Sequence, residues 1–286
     1  MASALSLRER LRPLRASAWL GFQIESNWSD PIVFAVYALA KPLATSLILL
    51  AMYKVVIGGS ISDPRFVALY VGNALYVFVN LLLVGLSWAV FEDREQYKML
   101  KYVAAAPIGL IPYLLGRSLT KFVLATISAI LVLLFGIFVL GLRLNVTPLS
   151  LLTLVAALAV GAVGIVAVGL VLAGLSMVFA RQSMMMNEGV SAVLYLFCGV
   201  VFPPDLLPAF LRPVALALPM SYWLEASRRA LDVQGFSPLL SRLTDLQLAG
   251  IFVAIALVWL FVARWIFGRL ERRARAEGLL DITTAW

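Results

Sequence analysis

Few residues in this chain are of types that could carry out chemistry, and the types that are missing rule out several kinds of site. The sequence contains no histidine and one cysteine, Cys198. A disulfide within the chain, a His/Cys metal cluster and a histidine-based catalytic triad are therefore excluded. Asp205, Glu225 and Asp232 are close in sequence, but no nucleophile or acid–base partner surrounds them. We therefore predict that the chain is not an enzyme.

Nucleotide chemistry would require a phosphate-binding loop of the form G-x-x-x-x-G-K-[ST], in which backbone amides and the lysine hold the phosphates. The sequence has no such motif. Its segment IGGSISDPR contains glycines but no lysine after them. We therefore expect this chain to bind no cofactor and to hydrolyse no ATP.

The densest group of charges lies between two apolar runs, in residues 91–107, FEDREQYKMLKYVAAAP. Read as a helix, this segment places Glu95 and Lys98 three residues apart, so they can pair on its surface. Pro107 would end the helix, because proline disfavours helix at the residue before it. Two interpretations remain open from the residues alone, namely a short rod that docks into a partner's groove and a solvated loop beside a membrane. The candidate contact residues are Glu92, Asp93, Arg94, Glu95, Tyr97, Lys98, Leu100, Lys101 and Pro107.

The overall composition indicates a membrane protein. The chain is 63% hydrophobic and only 13% charged, whereas soluble domains are about 45–50% apolar and about 25% charged. The net charge of +8 fits the enrichment of basic residues on the cytoplasmic side of membrane proteins. We do not expect nucleic-acid binding, since no basic groove or stacking pattern is visible.

Apolar runs of roughly 20 residues predict six membrane-spanning helices. We place these spans at about residues 32–56, 66–90, 111–140, 149–178, 189–202 and 248–267. The fifth run is short, so we expect its helix to begin near Met184 and to end at Pro203 and Pro204. The predicted fold class is an all-α polytopic membrane protein, with a six-span domain at residues 32–267.

The distribution of basic residues predicts the orientation of the chain. Most of its 23 lysines and arginines fall on one side if the N-terminus is inside, so both termini should be cytoplasmic. The expected location is the cell's inner (plasma) membrane. Residues 1–31 alternate apolar side chains with arginines, which favours an amphipathic helix in the headgroup layer over a disordered basic tail. Residues 268–286 are expected to form a cytoplasmic tail.

The long connection at residues 203–247 is rich in proline. Its runs LLPAFLRPVALAL and SYWLEASRRALDV read as short helices that are too brief or too charged to span a membrane. We predict a re-entrant or surface-lying helical cap on the outer side. The residues that mark it are Pro203, Pro204, Pro208, Pro219, Glu225 and Arg228.

Polar residues within the spans are informative because they are costly in hydrocarbon. Asn73 and Asn80 are seven residues apart and share one face of the second span. They either line a polar path or bond to a neighbouring helix, and bonding is the favoured interpretation. Asn187 and Glu188 open the fifth span, either as a helix start at the membrane surface, which is favoured, or as an inner gate. These four residues are the candidates for a translocation path.

The order of these features resembles the membrane subunits of type 2 ABC exporters, the ABC-2 permease family. Two blocks carry the resemblance, EDREQYKMLKYVAAAP with PYLLGRSLTKF, and CGVVFPPDLLPAFLRPVALALPMSYWLEASRRAL after the fifth span. The resemblance implies two copies of a separate ABC ATPase that bind ATP and Mg, and a second permease copy or close relative within membrane lipid. It also implies that residues 91–107 couple to the ATPase, and that the cargo is a lipophilic drug, a lipid or a lipid-linked glycan.

Three other functions remain as alternatives. A secondary transporter or channel independent of ATP would show broken helices with ionisable groups near the midplane, or repeated halves, and only Lys41 beside Pro42 hints at this. A membrane enzyme acting on lipid or glycan would need a convergent polar cluster. A non-transporting assembly subunit is compatible with the sequence, but the exporter subunit is favoured.

Overall fold

The computed structural model of the chain describes residues 7–26, 31–145, 147–233 and 236–283. Side chains are described from residue 12 onward, except those of residues 31–39 and 41. The predicted segments 1–31, 203–247 and 268–286 therefore each contain some residues outside the described ranges. Within those ranges the chain is helical and forms no strand, which confirms the predicted all-α class.

Eleven α-helices make up most of the described residues. They are α1 (Leu7–Ser26), α2 (Pro31–Met52), α3 (Pro64–Phe78), α4 (Gly85–Glu95), α5 (Leu100–Ala105), α6 (Leu110–Phe138), α7 (Pro148–Val178), α8 (Ser183–Phe197), α9 (Arg212–Leu216), α10 (Pro219–Ala230) and α11 (Asp245–Ala276). A π-helical segment, Tyr53–Ile57, continues α2. A second, Val79–Val84, joins α3 to α4, so that Pro64–Glu95 is one continuous helix, called the central helix below.

Four described helices are long and apolar enough to cross a membrane: Pro64–Glu95, Leu110–Phe138, Pro148–Val178 and Asp245–Ala276. Each is at least about 43 Å long at 1.5 Å per residue, more than the hydrocarbon core of about 30 Å. They coincide with the second, third, fourth and sixth predicted spans. The first predicted span contains a shorter apolar helix, Pro42–Ile57, and the fifth contains the 15-residue α8. The chain is thus a multi-pass helical membrane protein.

Two helix ends differ from the sequence prediction. The central helix does not stop near Val90 but continues through the first charged residues to Glu95. Helix α8 ends at Phe197 rather than at Pro203, because Gly199 adopts a left-handed backbone with φ +76°. Glycine takes that conformation without steric cost and commonly follows the last residues of a helix.

The central helix is the most buried of the four long helices and lies among α6, α7, α8 and α10. Small residues on α7 let its neighbours approach closely. Gly161 lies against Trp223 of α10, and Gly169 lies against the backbone of Leu83 in the central helix. The glycines of the fourth span therefore serve packing, as their type suggests.

The bundle has two ends that matter for function. At the end that we call the α4 end, α4 finishes beside the C-terminus of α7 and the N-terminus of α8, where Arg94 contacts Ser176 and Ser183. At the opposite end, called the α10 end, Arg228 of α10 contacts Ala68 near the start of the central helix.

Candidate functional site

Three of the charged residues at the α4 end are buried, not displayed on a surface helix. Asp93, Arg94 and Glu95 expose only 0%, 2% and 4% of their surface. Glu95 accepts a hydrogen bond from Arg94 Nε at 2.9 Å, so the expected surface pairing of Glu95 with Lys98 is not what organises the segment. These three residues instead form the last turn of a helix that is enclosed by α6 and α7.

An ion pair between Asp93 and Arg117 fastens α4 to α6. Arg117 Nη1 donates to Asp93 Oδ1 at 2.8 Å, and Tyr113 Oη donates to Asp93 Oδ2 at 2.8 Å. Arg117 Nη1 also lies 3.0 Å from Tyr113 Oη, and Arg117 Nη2 donates to Glu92 Oε2 at 3.2 Å. Both carboxylate oxygens of Asp93 are thus satisfied, which a buried ion pair requires if it is to offset its desolvation.

Arg94 holds the end of α7. Its Nη1 donates to the carbonyl oxygen of Ser176 at 2.9 Å, and its Nη2 donates to that of Ala180 at 3.2 Å. Carbonyls in the last turn of a helix lack partners within the helix, and a positive charge there is favoured by the helix dipole. Arg94 therefore fixes the central helix to the connection between α7 and α8.

Helix α1 is joined to the same cluster through α6. Thr120 Oγ1 donates to the carbonyl oxygen of Ala18 at 2.8 Å, and Lys121 pairs with Glu25. The two helices approach closely at Gly116, where a Cβ atom would collide with Ser17. A movement of α1 would therefore be transmitted to α6 and, through Arg117, to α4.

The exposed part of the segment is the turn after α4, together with α5. Tyr97 and Tyr102 expose 44% and 68% of their surface, and Ile108 is also exposed. Lys98 is exposed and has a φ of +50°, which is uncommon for a residue other than glycine. The Met99 amide stabilises the turn by donating to the Asp93 carbonyl oxygen at 2.8 Å.

The chain after α11 returns to support α5. Asp281 Oδ1 lies 2.6 Å from Lys101 Nζ. Leu280 is buried in the same apolar cluster as Leu100 and Ala104. One face of α5 is thus covered by the segment that follows α11. Tyr97, Lys98 and Tyr102 remain exposed.

The predicted contact residues therefore divide into two groups. Asp93, Arg94, Glu95 and Leu100 are buried and position the segment, Glu92 and Lys101 are partly buried, and Tyr97, Lys98 and Pro107 are exposed. Sequence reasoning did not select Tyr102, although it lies in the quoted segment next to Lys101, or Ile108, which directly follows the segment. It also did not select Arg117 and Tyr113, although both stand in the second quoted motif, PYLLGRSLTKF.

Two of the candidate path residues bond across helices. Asn73 Nδ2 donates to Ser46 Oγ of α2 at 3.1 Å, and Asn73 Oδ1 accepts from Tyr195 Oη of α8 at 2.9 Å. Asn80 Nδ2 donates to Ser191 Oγ of α8 at 3.0 Å. Asn80 lies in the π-helical segment of the central helix, where its carbonyl accepts the Gly85 amide. The central helix is thus joined to α2 and α8 by side-chain amides.

The other two candidates are adjacent in sequence but differ in environment. Asn187 is fully buried, and neither its Nδ2 nor its Oδ1 has a hydrogen-bond partner among the described residues. Glu188 is exposed on α8. A buried amide without partners loses its hydration without compensation, which costs about 1–3 kcal/mol.

Arg228 organises the α10 end in the way that Arg94 organises the α4 end. Its Nε donates to the carbonyl oxygen of Ala68 at 3.0 Å, and its Nη2 donates to that of Gly199 at 2.8 Å. Its guanidinium also lies 4.0 Å from the centre of the Phe236 ring. Burial lowers the pKa of Arg228 to about 10. The close approach of the central helix requires Gly72, since a Cβ there would collide with Arg228 Nη2.

The rest of the predicted cap packs around this arginine. Glu225 is buried, and burial raises its pKa although Arg228 and Arg229 favour the charged form. Pro204 and Pro219 are buried, Pro203 is partly buried, and Pro208 is exposed. Trp223 of α10 reaches Phe78, with the ring centres 5.8 Å apart, so α10 contacts the middle of the central helix.

The long apolar helices define a polytopic membrane protein. At each end of the bundle, a cluster with a buried arginine joins the helices through hydrogen bonds to backbone carbonyls. The family model of the ABC-2 type transporters matches residues 16–231, which include both clusters. The chain belongs to the ABC-2 type transporter family, as its two motif blocks predicted. A search of the curated proteins finds no match.

Proposed function

We propose that this chain is the permease subunit of an ATP-driven exporter. Two copies, or this chain and a close relative, pair in the cell's inner membrane with both termini in the cytoplasm. Two ABC ATPase chains, which bind ATP and Mg, dock at the α4 end. The observation that carries the proposal is the exposed surface formed by the turn, with Tyr97 and Lys98, and by Tyr102 of α5. Buried charges fix the base of this turn to α6 and α7.

The proposal includes a six-span domain at residues 32–267, a cytoplasmic coupling segment at 91–107 and an outer cap at 203–247. Contacts of α8 support its role as the fifth span. Its first residue, Ser183, lies 3.4 Å from Arg94 at the α4 end, and Gly199, just beyond its end, contacts Arg228 at the α10 end. The contact of Trp223 with Phe78 supports a cap that re-enters the bundle.

In the proposed cycle, the ATPase moves the turn, and the buried ion pairs carry that movement into the membrane. Nucleotide can shift the permease only if the ATPase binds one conformation better than the other. The moving unit comprises α4, the N-terminal part of α6 and α1, because Arg117 and Lys121 join all three. The cargo, a lipophilic drug, a lipid or a lipid-linked glycan, would pass between the central helix and α8.

Docking through the exposed turn predicts that Tyr102→Ala weakens ATPase binding by about 30-fold, the equivalent of a hot-spot loss of about 2 kcal/mol. Tyr97→Ala and Lys98→Glu should act in the same direction. The measurement is the dissociation constant of the purified permease for the ABC ATPase with which it is proposed to work. Arg143→Glu is the control, because Arg143 is exposed beyond α6 at the α10 end. Unchanged ATPase binding by a folded Tyr97→Ala/Tyr102→Ala double variant would exclude docking at this surface.

The orientation is tested by labelling single cysteines with a membrane-impermeant reagent in intact cells. Native Cys198 is fully buried, so it provides a low background. We expect Arg143→Cys to react from outside and Lys98→Cys to react only after the cells are permeabilised. Reaction of Lys98→Cys in intact cells would place the coupling turn on the wrong side for an ATPase.

Because the Asn187 amide has no partner among the described residues, Asn187→Leu should stabilise the resting conformation by about 1–2 kcal/mol by removing a buried group that has lost its water. If Asn187 finds a partner in another conformation, the same variant should slow export. The measurements are the unfolding midpoint in detergent and cargo export by vesicles. Asn73→Leu is the contrast, since it removes bonds to Ser46 and Tyr195 and should destabilise. A lower midpoint for Asn187→Leu would contradict this interpretation.

A further inference from the structure

An apolar groove of about 570 Å³ opens between α1, α6, α7 and α11. One wall comes from α6, with Leu115, Leu119 and Phe122, and the facing wall comes from α7, with Val163 and Val166. Leu119 and Val163 are each about half exposed, so the groove is open at the perimeter of the bundle. Leu82 of the central helix also lines it, and none of its lining residues belongs to α8.

The groove matches one leaflet of a bilayer in length. Its α6 wall runs from Ile111 to Phe122, about 16 Å along a helix axis. Half of a hydrocarbon core of about 30 Å has nearly the same length. The groove can therefore accommodate one acyl chain lying parallel to α6.

A single charged residue, Arg264 of α11, lies among the groove's lining residues. Arg264 is exposed and has no hydrogen bond or ion pair with any described residue. It follows a long apolar stretch of α11 and precedes Trp265, whose ring stacks under Arg269. Tryptophan and arginine after an apolar run are typical of the headgroup level of a membrane. The groove thus combines an apolar channel with an exposed cation at headgroup depth.

We propose that this groove holds an anionic phospholipid of the surrounding bilayer, with one acyl chain along α6 and α7 and its phosphate on Arg264. The complementary charge of Arg264 favours an anionic headgroup over a neutral one. Within the described part of the chain no hydrogen bond joins α1 to α11, so the lipid would bridge two helices that otherwise touch little. The assignment does not depend on the ATPase or on the cargo of the proposed exporter.

The test counts the lipids that stay bound to the purified chain during detergent washing, by native mass spectrometry, after incubation with phosphatidylglycerol or phosphatidylcholine vesicles. We expect about one phosphatidylglycerol per wild-type chain, and at least a fivefold preference over phosphatidylcholine. Arg264→Gln should abolish that preference. Arg264 is exposed, so its substitution leaves the fold intact. Val163→Trp should fill the groove and lower binding of both lipids.

Two controls place the same changes outside the groove. Arg269→Gln removes a neighbouring exposed arginine, and Val258→Trp adds the same bulk on an exposed position of α11 that does not line the groove. Both should bind lipid like the wild type. Equal binding of the two lipids, unchanged preference in Arg264→Gln or equal loss in the controls would each overturn the proposal. A Val163→Trp protein that loses self-association but keeps its lipid would show that a second copy, rather than lipid, occupies the groove.

Discussion

Arg117→Leu is expected to lower the free energy of unfolding by about 3–5 kcal/mol, the usual cost of leaving one partner of a buried ion pair without its counter-charge. Asp93 is completely buried, and Arg117 supplies its charge partner at 2.8 Å. Tyr113 would still donate to Asp93, but a neutral hydroxyl cannot replace the lost charge. The measurement is equilibrium denaturation of the purified permease in detergent.

A double variant separates the charge from the packing. Asp93→Leu with Arg117→Leu removes both charges, so it should be less destabilised than the sum of the single variants, with a coupling of at least about 2 kcal/mol. Arg181→Leu is the matched control, because Arg181 is exposed between α7 and α8 and should change stability by less than about 0.5 kcal/mol. If Arg117→Leu unfolds no more easily than Arg181→Leu, the ion pair does not hold α4 to α6.

The sequence supported correct predictions wherever the controlling interactions are local. Long apolar runs specify helices because backbone groups in hydrocarbon must be satisfied within the segment. The four long spans therefore appear where the runs do. The charged segment does follow the apolar run of the central helix, but its first charges form the last turn of that helix instead of lying beyond it.

The environment of those charges could not be read locally. Helical spacing can reveal only partners that lie three or four residues apart in the sequence. It therefore predicted a surface pair of Glu95 with Lys98. The actual partner of Asp93 is Arg117, on another helix, and Arg94 binds carbonyls near the end of α7. Every residue has a backbone carbonyl, so the sequence does not indicate which carbonyls Arg94 binds. The burial of Arg94 therefore becomes apparent only from the position of α7 in the structure.

The end of α8 shows the same limit. Proline is a strong local signal, and Pro203 was the expected stop. The helix ends earlier because Gly199 turns the chain and Arg228 binds the freed carbonyl of Gly199 from α10. Each of the two motif blocks of the family thus contributes a buried arginine that binds helix carbonyls, Arg94 at the end of α7 and Arg228 at the end of α8. Both arginines meet the same requirement: buried carbonyls at a helix end have no water to bind, so a cationic side chain donates hydrogen bonds to them.

Arg228→Met is expected to destabilise the protein by about 2–4 kcal/mol, because the buried carbonyls of Gly199 and Val200 would lose their donor. Gly72→Ala should have an effect of similar size, since its Cβ would displace the guanidinium from those carbonyls. The two changes damage the same contact, so their effects should not add. In the Arg228→Met background, Gly72→Ala should cost less than about 1 kcal/mol.

Gly250→Ala is the control for glycine replacement, because a Cβ at this position of α11 would meet no atom within 4 Å. Alanine there should leave stability unchanged or raise it by about 0.4–1 kcal/mol through the unfolded chain. The measurement is again denaturation in detergent, for the two single variants, the double variant and the control. Strict additivity of Gly72→Ala and Arg228→Met would mean that Gly72 acts through helix packing alone, and Arg228 would then not be the residue that sets how closely α10 approaches the central helix.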